Sequence, residues 1–532
     1  MSLLTVNGLT VSYPGSSAAA VQDLSFVMSD TETVGIVGES GAGKSQTALA
    51  IMGLLPPNAE ARGSIVLAGK EVLGASAATM RRLRARHVSM IFQDPATALN
   101  PYIKIGNQLK YILLEHKVVD RKHVKQKCIE MLDRVGLPEP HLQYHAYPHQ
   151  LSGGMRQRAL IAAALIGEPD LIVADEATTA LDVTVQAQIL KLLRELRRDF
   201  NTALLMITHD LAVIAQNCER LLVMDHGNLI ETGRCEDIFK KPAHPHTAKL
   251  IASVSRIDAS PPGPRNKDAA EKPVLGVTQL GVSFRDRRRG ARGKFVAVQP
   301  LNIEIAAGET LAIVGESGSG KTSLARAVAG LTPRSCGSVE FLGEPLLAKV
   351  EARPRAVRRQ LQMVFQEPQS SLNPAMRVGR IIAEPLEVHS ATTKSEDRAK
   401  QVANMLGRVG LDAALSERLP HELSGGQAQR VAIARALILE PRVLICDEAL
   451  SALDGTVRRD VVALLKAEQE RSQMSLMFIT HDLGVVREIC DRVIVMRDGA
   501  VCEEGSNDDI FSRAQHPYTQ ALLAAVLTLD RK

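Results

Sequence analysis

Gly38-Glu39-Ser40-Gly41-Ala42-Gly43-Lys44-Ser45 follows the apolar run Val34 to Val37, and Gly315-Glu316-Ser317-Gly318-Ser319-Gly320-Lys321-Thr322 follows Leu311 to Val314. Both have the G-x-x-x-x-G-K-[ST] pattern of a phosphate-binding loop placed between a strand and a helix. Glycines there let backbone N–H groups close around phosphate oxygens, and the helix that follows turns its positive N-terminus toward them. Lys44 and Lys321 would neutralise the β- and γ-phosphates of a nucleotide, and Ser45 and Thr322 would offer a hydroxyl to Mg²⁺. A glycine-rich turn that happens to hold a lysine is the competing reading. The strand before each loop and the second copy favour phosphate.

The rest of the chain is duplicated with the loops. Phe92-Gln93-Asp94-Pro95 recurs as Phe365-Gln366-Glu367-Pro368, and Leu151-Ser152-Gly153-Gly154 as Leu423-Ser424-Gly425-Gly426. Thr208-His209-Asp210 recurs as Thr480-His481-Asp482. All these copies keep a nearly constant offset, which means duplication of a whole domain; a solenoid would repeat every ~20–50 residues. The join falls at Ser255 to Pro273, SRIDASPPGPRNKDAAEKP, whose prolines, charge and lack of apolar period fit an exposed linker. The expected division is a first domain over 1–254, a linker over 255–273 and a second domain over 274–532.

Composition removes other classes. The 532 residues are 45% hydrophobic and 23% charged, enough apolar content to exclude a disordered chain. No apolar run approaches the ~18–20 residues that span a bilayer, and the N-terminus MSLLTVNGLTVSYPG lacks the basic start and apolar stretch of a secretory signal. A soluble protein that stays in the cytoplasm is expected. A net charge of +5 is compatible with an acidic membrane surface or a polyanion, with a balanced solvated surface the blander reading. Seven cysteines without a C-x-x-C pair argue against a disulfide framework and a zinc site; Cys218, Cys446 and Cys490 read as core.

Within each half the pattern is α/β. Leu171 to Ala174, Val443 to Cys446, Leu204 to Ile207 and Leu476 to Ile479 are continuous apolar runs, as expected of strands buried on both faces. Val183 to Phe200 carries apolar residues at a helical period, at Ile189, Leu190, Leu193 and Leu196. Strands alternating with helices imply a mostly parallel, covered sheet with its ligand chemistry at the C-terminal ends of the strands. Asp175 and Asp447 end such strands and are followed by Glu176 and Glu448. Successive side chains diverge at a strand end, so each aspartate can hold Mg²⁺ while each glutamate accepts a proton from an attacking water. Two solvated acids closing a strand would look similar. The Thr-His-Asp segments could likewise be polar strand ends.

In both halves the order is phosphate loop, glutamine loop, Leu-Ser-Gly-Gly, acidic strand, Ala-Leu-Asp at Asp182 and Asp454, and histidine. Here the sequence resembles the ATP-binding cassette (ABC) ATPases over nearly all of both halves. The resemblance implies an α/β fold of two tandem P-loop NTPase domains, each a RecA-like core with a helical subdomain and an N-terminal antiparallel β subdomain. It implies that two such units pack head to tail, each ATP lying between the phosphate loop of one and the signature of the other. One site would join Lys44, Gln93, Asp175, Glu176 and His209 to Ser424, Gly425 and Gly426. The second would join Lys321, Gln366, Asp447, Glu448 and His481 to Ser152, Gly153 and Gly154. By the same resemblance the histidines meet the γ-phosphate, Gln93 and Gln366 reach the metal and link the γ-phosphate to the helical arms, and Tyr13 and Phe284 stack on adenine. Ordinary strand aromatics are the competing reading for that last pair. Two departures stand out: Met155 replaces the usual signature glutamine that Gln427 keeps, and Ala177 and Ala449 replace the proline usual after the glutamate. Neither removes an acid, a cation or a signature glycine, so both sites are expected to hydrolyse ATP.

Phe92 to Pro101, Phe365 to Pro374 and the His-Pro-x-Thr segments at His244 and His516 resemble the oligopeptide/dipeptide/nickel importer branch. That branch implies two integral-membrane permease subunits, an extracytoplasmic solute-binding protein and a position on the cytoplasmic face of the bacterial inner membrane. Peptide, glutathione-like, nickel and opine-like solutes stay open. The alternative is a soluble tandem ABC ATPase acting on ribosomes or nucleic acid. The basic run Arg285 to Lys294 could serve it, but the join is short and proline-containing where such factors usually carry a long charged helix. No nucleic acid is expected. A nucleotide kinase would explain the phosphate loops but not paired signatures.

Overall fold

The computed structural model describes residues 2–15, 18–178, 182–254, 257, 273–285, 294–389, 395–450, 453 and 455–529. The expected linker, apart from residues 257 and 273, lies outside the described residues, as do Asp454 and the interior of the basic run 285–294. The chain forms two compact units, Met1–Val254 with Leu527–Lys532, and Ser255–Val526. The sequence assigns the last few residues to the second half. Leu527 and Leu529 instead pack on the core of the first unit, where the Thr528 carbonyl accepts a hydrogen bond from Gln216 Nε2 at 3.2 Å.

In the first unit the strands are β1 (Ser2–Ser12), β2 (Val21–Ser29), β3 (Thr33–Val37), β4 (Glu60–Leu67), β5 (Lys70–Glu71), β6 (Val88–Ile91), β7 (Leu171–Asp175), β8 (Ala203–Ile207), β9 (Arg220–Asp225) and β10 (Asn228–Arg234). One sheet has the order β2-β1-β4-β5 and is antiparallel throughout. The central sheet has the order β10-β9-β3-β8-β7-β6, parallel except for the edge pair β9–β10. The second unit repeats this with β11 (Leu275–Arg285), β12 (Lys294–Ile305), β13 (Thr310–Val314), β14 (Cys336–Phe341), β15 (Glu344–Pro345), β16 (Leu361–Val364), β17 (Val443–Asp447), β18 (Ser475–Ile479), β19 (Arg492–Arg497) and β20 (Ala500–Ser506). Its sheets run β12-β11-β14-β15 and β16-β17-β18-β13-β19-β20.

The continuous apolar runs follow from burial on both faces. Leu171 and Val173 point into the cluster shared with the antiparallel sheet, whereas Ile172 and Ala174 point into the cluster shared with the helices. Alternation along a strand normally separates apolar from polar; here both sides are core, so the period disappears. Val183–Phe200 is a helix with Asp182 as N-cap. The segments after Gln93 and Gln366 form the helical arms, with Ile105–Glu115 and Val124–Arg134 in the first unit and Val378–His389 and Ser395–Arg408 in the second. Each arm packs its apolar stripe on the helix that follows the signature. Cys218, Cys446 and Cys490 are fully buried. No described helix is long and apolar enough to cross a membrane.

Candidate active site

The strand order brings the chemistry to one edge. In the first unit β6, β7, β8 and β3 are neighbours, so Gln93, Asp175-Glu176, His209 and the 38–45 loop all leave the same C-terminal edge of the sheet. The loop is tightly curled. A Cβ on Gly38 would stand 2.2 Å from the Met224 carbonyl oxygen, and one on Gly43, at φ 93°, 2.2 Å from that of Ala20. Only glycine fits such approaches. Gly315 and Gly320 repeat the restriction against Met496 and Ala297, at 2.1 and 2.3 Å.

Lys44 opens the helix Lys44–Ile51 and is 6% exposed. Its Nζ donates to the carbonyls of Gly38 and Glu39 at 2.8 and 2.7 Å. Lys321 does the same to Gly315 and Glu316, both at 2.8 Å, and also meets Ser319 Oγ at 3.3 Å. Each lysine is thus folded back over its own loop, its charge held where a phosphate would lie.

Ser45 Oγ donates to Asp175 Oδ1 at 3.1 Å, and Thr322 Oγ1 to Asp447 Oδ1 at 2.9 Å. Burial pushes the Asp175 carboxyl above the ordinary aspartate range; the Ser45 bond and Lys44 oppose this, and the Glu176 charge adds to it. Asp447 is raised for the same reason, against the Thr322 bond, Arg326 and Lys321. Asp447 Oδ2 is buried without a hydrogen-bond partner among the described residues. A hydroxyl and a carboxylate with an unused buried oxygen form a hard, all-oxygen donor set, which fits Mg²⁺. Asp175 with Ser45, and Asp447 with Thr322, are the residues that would hold it. The amides of Gln93 and Gln366 instead engage the glutamates.

Gln93 Nε2 donates to Glu176 Oε2 at 2.7 Å, and His209 Nδ1 lies 3.2 Å from Glu176 Oε1. In the second unit Gln366 Nε2 donates to Glu448 Oε2 at 2.7 Å, with His481 Nδ1 3.9 Å from Glu448 Oε1. His481 holds the Glu448 carboxyl below the ordinary glutamate range against its burial. Both glutamates have left-handed backbones, φ 47° and 48°. Such a conformation costs a β-carbon residue about 1–3 kcal/mol and persists only where the surroundings impose it. Here Glu176 N–H donates to Ile207 O at 2.8 Å and Glu448 N–H to Ile479 O at 2.9 Å, turning each carboxylate toward the neighbouring strand end.

The signatures are helix N-termini. Ser152 caps Gly153–Leu165, its Oγ accepting from Met155 N–H at 3.3 Å; Ser424 caps Gly425–Leu437, accepting from Gln427 N–H at 3.3 Å. Gln427 returns a bond, its Oε1 accepting from Ser424 N–H at 3.0 Å, and completes a capping box. Met155 has no oxygen for that bond. A Cβ at Gly153 or Gly425 would meet nothing within 4 Å, so open space lies before each helix end. Gly154 and Gly426 pack closer, against Val185 and Val457. Tyr13 hydroxyl is bonded to Gln46 on the helix after the phosphate loop. Phe284 stands opposite Phe295 in the β11–β12 ladder and is 44% exposed.

Sequence reading missed Gln157, buried on the signature helix, whose Nε2 donates to the Ala177 carbonyl at 2.6 Å. It ties that helix to the residue after Glu176. No spacing rule signals it, because the partner is a backbone atom brought close only by folding.

The ABC transporter family profile matches residues 21–179 and 298–451, and the oligopeptide/dipeptide transporter C-terminal region matches 230–294 and 502–532. The chain is 42% identical to the peptidoglycan transport ATP-binding protein YejF of Agrobacterium fabrum, over 99% of this chain and 97% of that protein. It is 40% identical to the glutathione import ATP-binding protein GsiA of Escherichia coli K12, over 98% of this chain and 89% of that one. Among solved structures, cbiO1 from Clostridium perfringens, part of the ABC transporter complex cbiONQ, is 29% identical over 46% of this chain and 92% of its own, with a TM-score of 0.39. With a nucleotide loop, paired acids and a capped signature in each of two matching units, the chain belongs to the ABC transporter ATP-binding proteins, as an ATPase with two fused cassettes in the oligopeptide/dipeptide branch.

Proposed function

We propose that this chain is the ATP-hydrolysing subunit of an importer whose cargo is a di- or oligopeptide or a related peptide-like solute. It would work at the cytoplasmic face of a bacterial inner membrane, beneath two permease subunits supplied by an extracytoplasmic solute-binding protein. The observation that carries the reading is the duplicated Gln–Glu–His contact at the strand ends, Gln93–Glu176–His209 and Gln366–Glu448–His481. Each glutamine begins a helical arm, so the carboxylate that would take a proton from water is bonded to the segment best placed to sense a permease. The relatives' names support the cargo class, since glutathione is a peptide and peptidoglycan contains peptides.

In the reaction, Lys44 and Lys321 balance charge on the β- and γ-phosphates, and the loop N–H groups hold them in place. Mg²⁺, when bound, supplies charge neutralisation at the phosphates. Glu176 and Glu448 accept the proton of the attacking water, with His209 and His481 fixing the orientation of the carboxylate and meeting the γ-phosphate. Tyr13 and Phe284 are the proposed adenine contacts. In the nucleotide-loaded protein each signature, Ser152-Gly153-Gly154 or Ser424-Gly425-Gly426, would complete the site built on the opposite half, adding a second helix N-terminus to the γ-phosphate. Closure around ATP and reopening after hydrolysis is then the step transmitted to the permeases.

Purification of the tagged chain from membranes should bring down two permease subunits with it. Recovery of ribosomes or nucleic acid instead would favour a soluble tandem ATPase and end the importer reading. Ser424→Ala should impair hydrolysis of nucleotide held by Lys44, and Ser152→Ala that held by Lys321; loss confined to the altered half would end the crossed arrangement.

A further inference from the structure

Each unit ends in a motif that the nucleotide chemistry leaves unused: His244-Pro245-His246-Thr247 in the first and His516-Pro517-Tyr518-Thr519 in the second. Both open a helix, Pro245–Ala252 and Pro517–Ala524, and both are anchored alike. The first histidine caps the helix: His244 Nδ1 accepts from His246 N–H at 3.2 Å and His516 Nδ1 from Tyr518 N–H at 3.1 Å. A carboxylate on the neighbouring strand receives the backbone just ahead of each helix. Glu231 accepts from the N–H groups of Ala243 and His244, and Glu503 from those of Gln515 and His516. So firm an anchor fixes where the third residue of each motif points.

That third residue is where the copies differ. Tyr518 is 7% exposed, with the Arg497 guanidinium 5.0 Å from its ring centroid. Its hydroxyl oxygen accepts a hydrogen bond from the backbone N–H of Glu316 at 3.1 Å. Glu316 is the second residue of the phosphate loop, and its carbonyl receives Lys321 Nζ at 2.8 Å. One residue of the loop is therefore held on its N–H by Tyr518 and on its carbonyl by the phosphate-binding lysine. The matching residue in the first unit is His246, whose Nε2 lies 3.9 Å from Asp225 Oδ1 and is buried without a hydrogen-bond partner among the described residues.

We propose that Tyr518 is a positioning residue for the ATP site of the second unit, bracing Glu316 so that the loop and Lys321 are set before nucleotide arrives. The first unit carries a histidine at this place, so the two sites differ in nucleotide affinity for a reason outside the recognised motifs. The proposal rests on the reading of the two loops as ATP sites. A brace formed before binding reduces the ordering that binding must accomplish. Loss of one such hydrogen bond corresponds to about a fivefold weakening.

The test is photolabelling of the full chain with 8-azido-ATP, with labelled peptides of the two units quantified separately by mass spectrometry. Tyr518→Phe keeps the ring against Arg497 and removes only the hydroxyl. It should raise the apparent Kd of the second unit about fivefold and leave the first unit unchanged. Hydrogen exchange of the peptide containing Glu316 should accelerate in the nucleotide-free variant. Labelling of the second unit equal to wild type, weakening of both units together, or unaltered exchange around Glu316 would each overturn the proposal. Lys321→Ala is the control for the underlying reading. If labelling of the second unit survives that change, the loop is not an ATP site and the failure lies there rather than with Tyr518.

Discussion

Gln93 Nε2 stands 2.7 Å from Glu176 Oε2, and the second unit repeats the bond between Gln366 and Glu448 at the same distance. An amide at the root of a helical arm thus occupies one oxygen of the carboxylate that would act on water. The other oxygen faces a histidine, at 3.2 Å in the first unit and 3.9 Å in the second. The copies agree in which groups meet and differ in how tightly they meet.

Replacing both glutamates with glutamine, Glu176→Gln with Glu448→Gln, keeps size and hydrogen bonding but removes the proton acceptor. Steady-state phosphate release should fall by a factor of about 10²–10⁴, while ATP is still bound and retained. Filter-binding of labelled ATP alongside phosphate release checks both halves of the statement. Undiminished turnover would remove the assignment.

Asp447 offers a stability test with a definite sign. Its folded-state pKa is raised by burial, so the ionised form is disfavoured in the native protein. That penalty is complete above the folded pKa and vanishes as pH falls below the unfolded value near 3.8. Asp447→Asn should therefore raise the melting temperature of the nucleotide-free chain at pH 7, with the advantage shrinking on acidification. The same variant should lose the share of the stabilisation by Mg²⁺ with nucleotide that comes through the second unit, and keep the share that comes through Asp175. Differential scanning fluorimetry across pH, with and without Mg²⁺-ATP, reads both effects; a lower melting point at pH 7 would contradict the assignment.

Gly320→Ala tests the curl of the phosphate loop. At φ 100°, with the new Cβ 2.3 Å from the Ala297 oxygen, alanine forces either strain or a displaced loop. The expected loss is the about 1–3 kcal/mol of backbone strain plus the cost of relieving that clash, together with loss of nucleotide binding by the second unit. Gly318, at φ 82° with nothing near its Cβ position, should respond only to the backbone term. Urea unfolding of the two variants should rank them in that order.

The signature caps should also be separable. Gln427→Met removes the bond to Ser424 N–H and leaves the Ser424 cap, a loss of about 0.5–1.5 kcal/mol. Met155→Gln should supply the missing partner in the first unit and stabilise it by a similar amount. Opposite shifts in urea midpoints would bear this out. Equal or absent shifts would show that the box does not matter to either unit.

Local signals carried much of the molecule. The duplication, the strand-loop-helix setting of both phosphate loops, the helix from Val183 to Phe200 and the serines at the signature helices were legible because each depends on a few adjacent residues. Glycines forced by close approach and serines that cap helices leave marks in the order of the letters itself.

What the chain order could not reveal is which distant atoms meet. The Gln157 bond to Ala177, the left-handed turn at Glu176 and Glu448, the hydroxyl of Tyr518 on Glu316 and the packing of Leu527 and Leu529 on the first unit all depend on the folded arrangement. Most involve a backbone atom or an apolar surface as partner, and every residue type supplies a backbone. By itself the sequence determined the two cassettes and the order of their motifs, through local sterics and periodic burial. Only the tertiary structure decided how each carboxylate and loop is held, because those bonds are selected by strand order and distance rather than by residue identity.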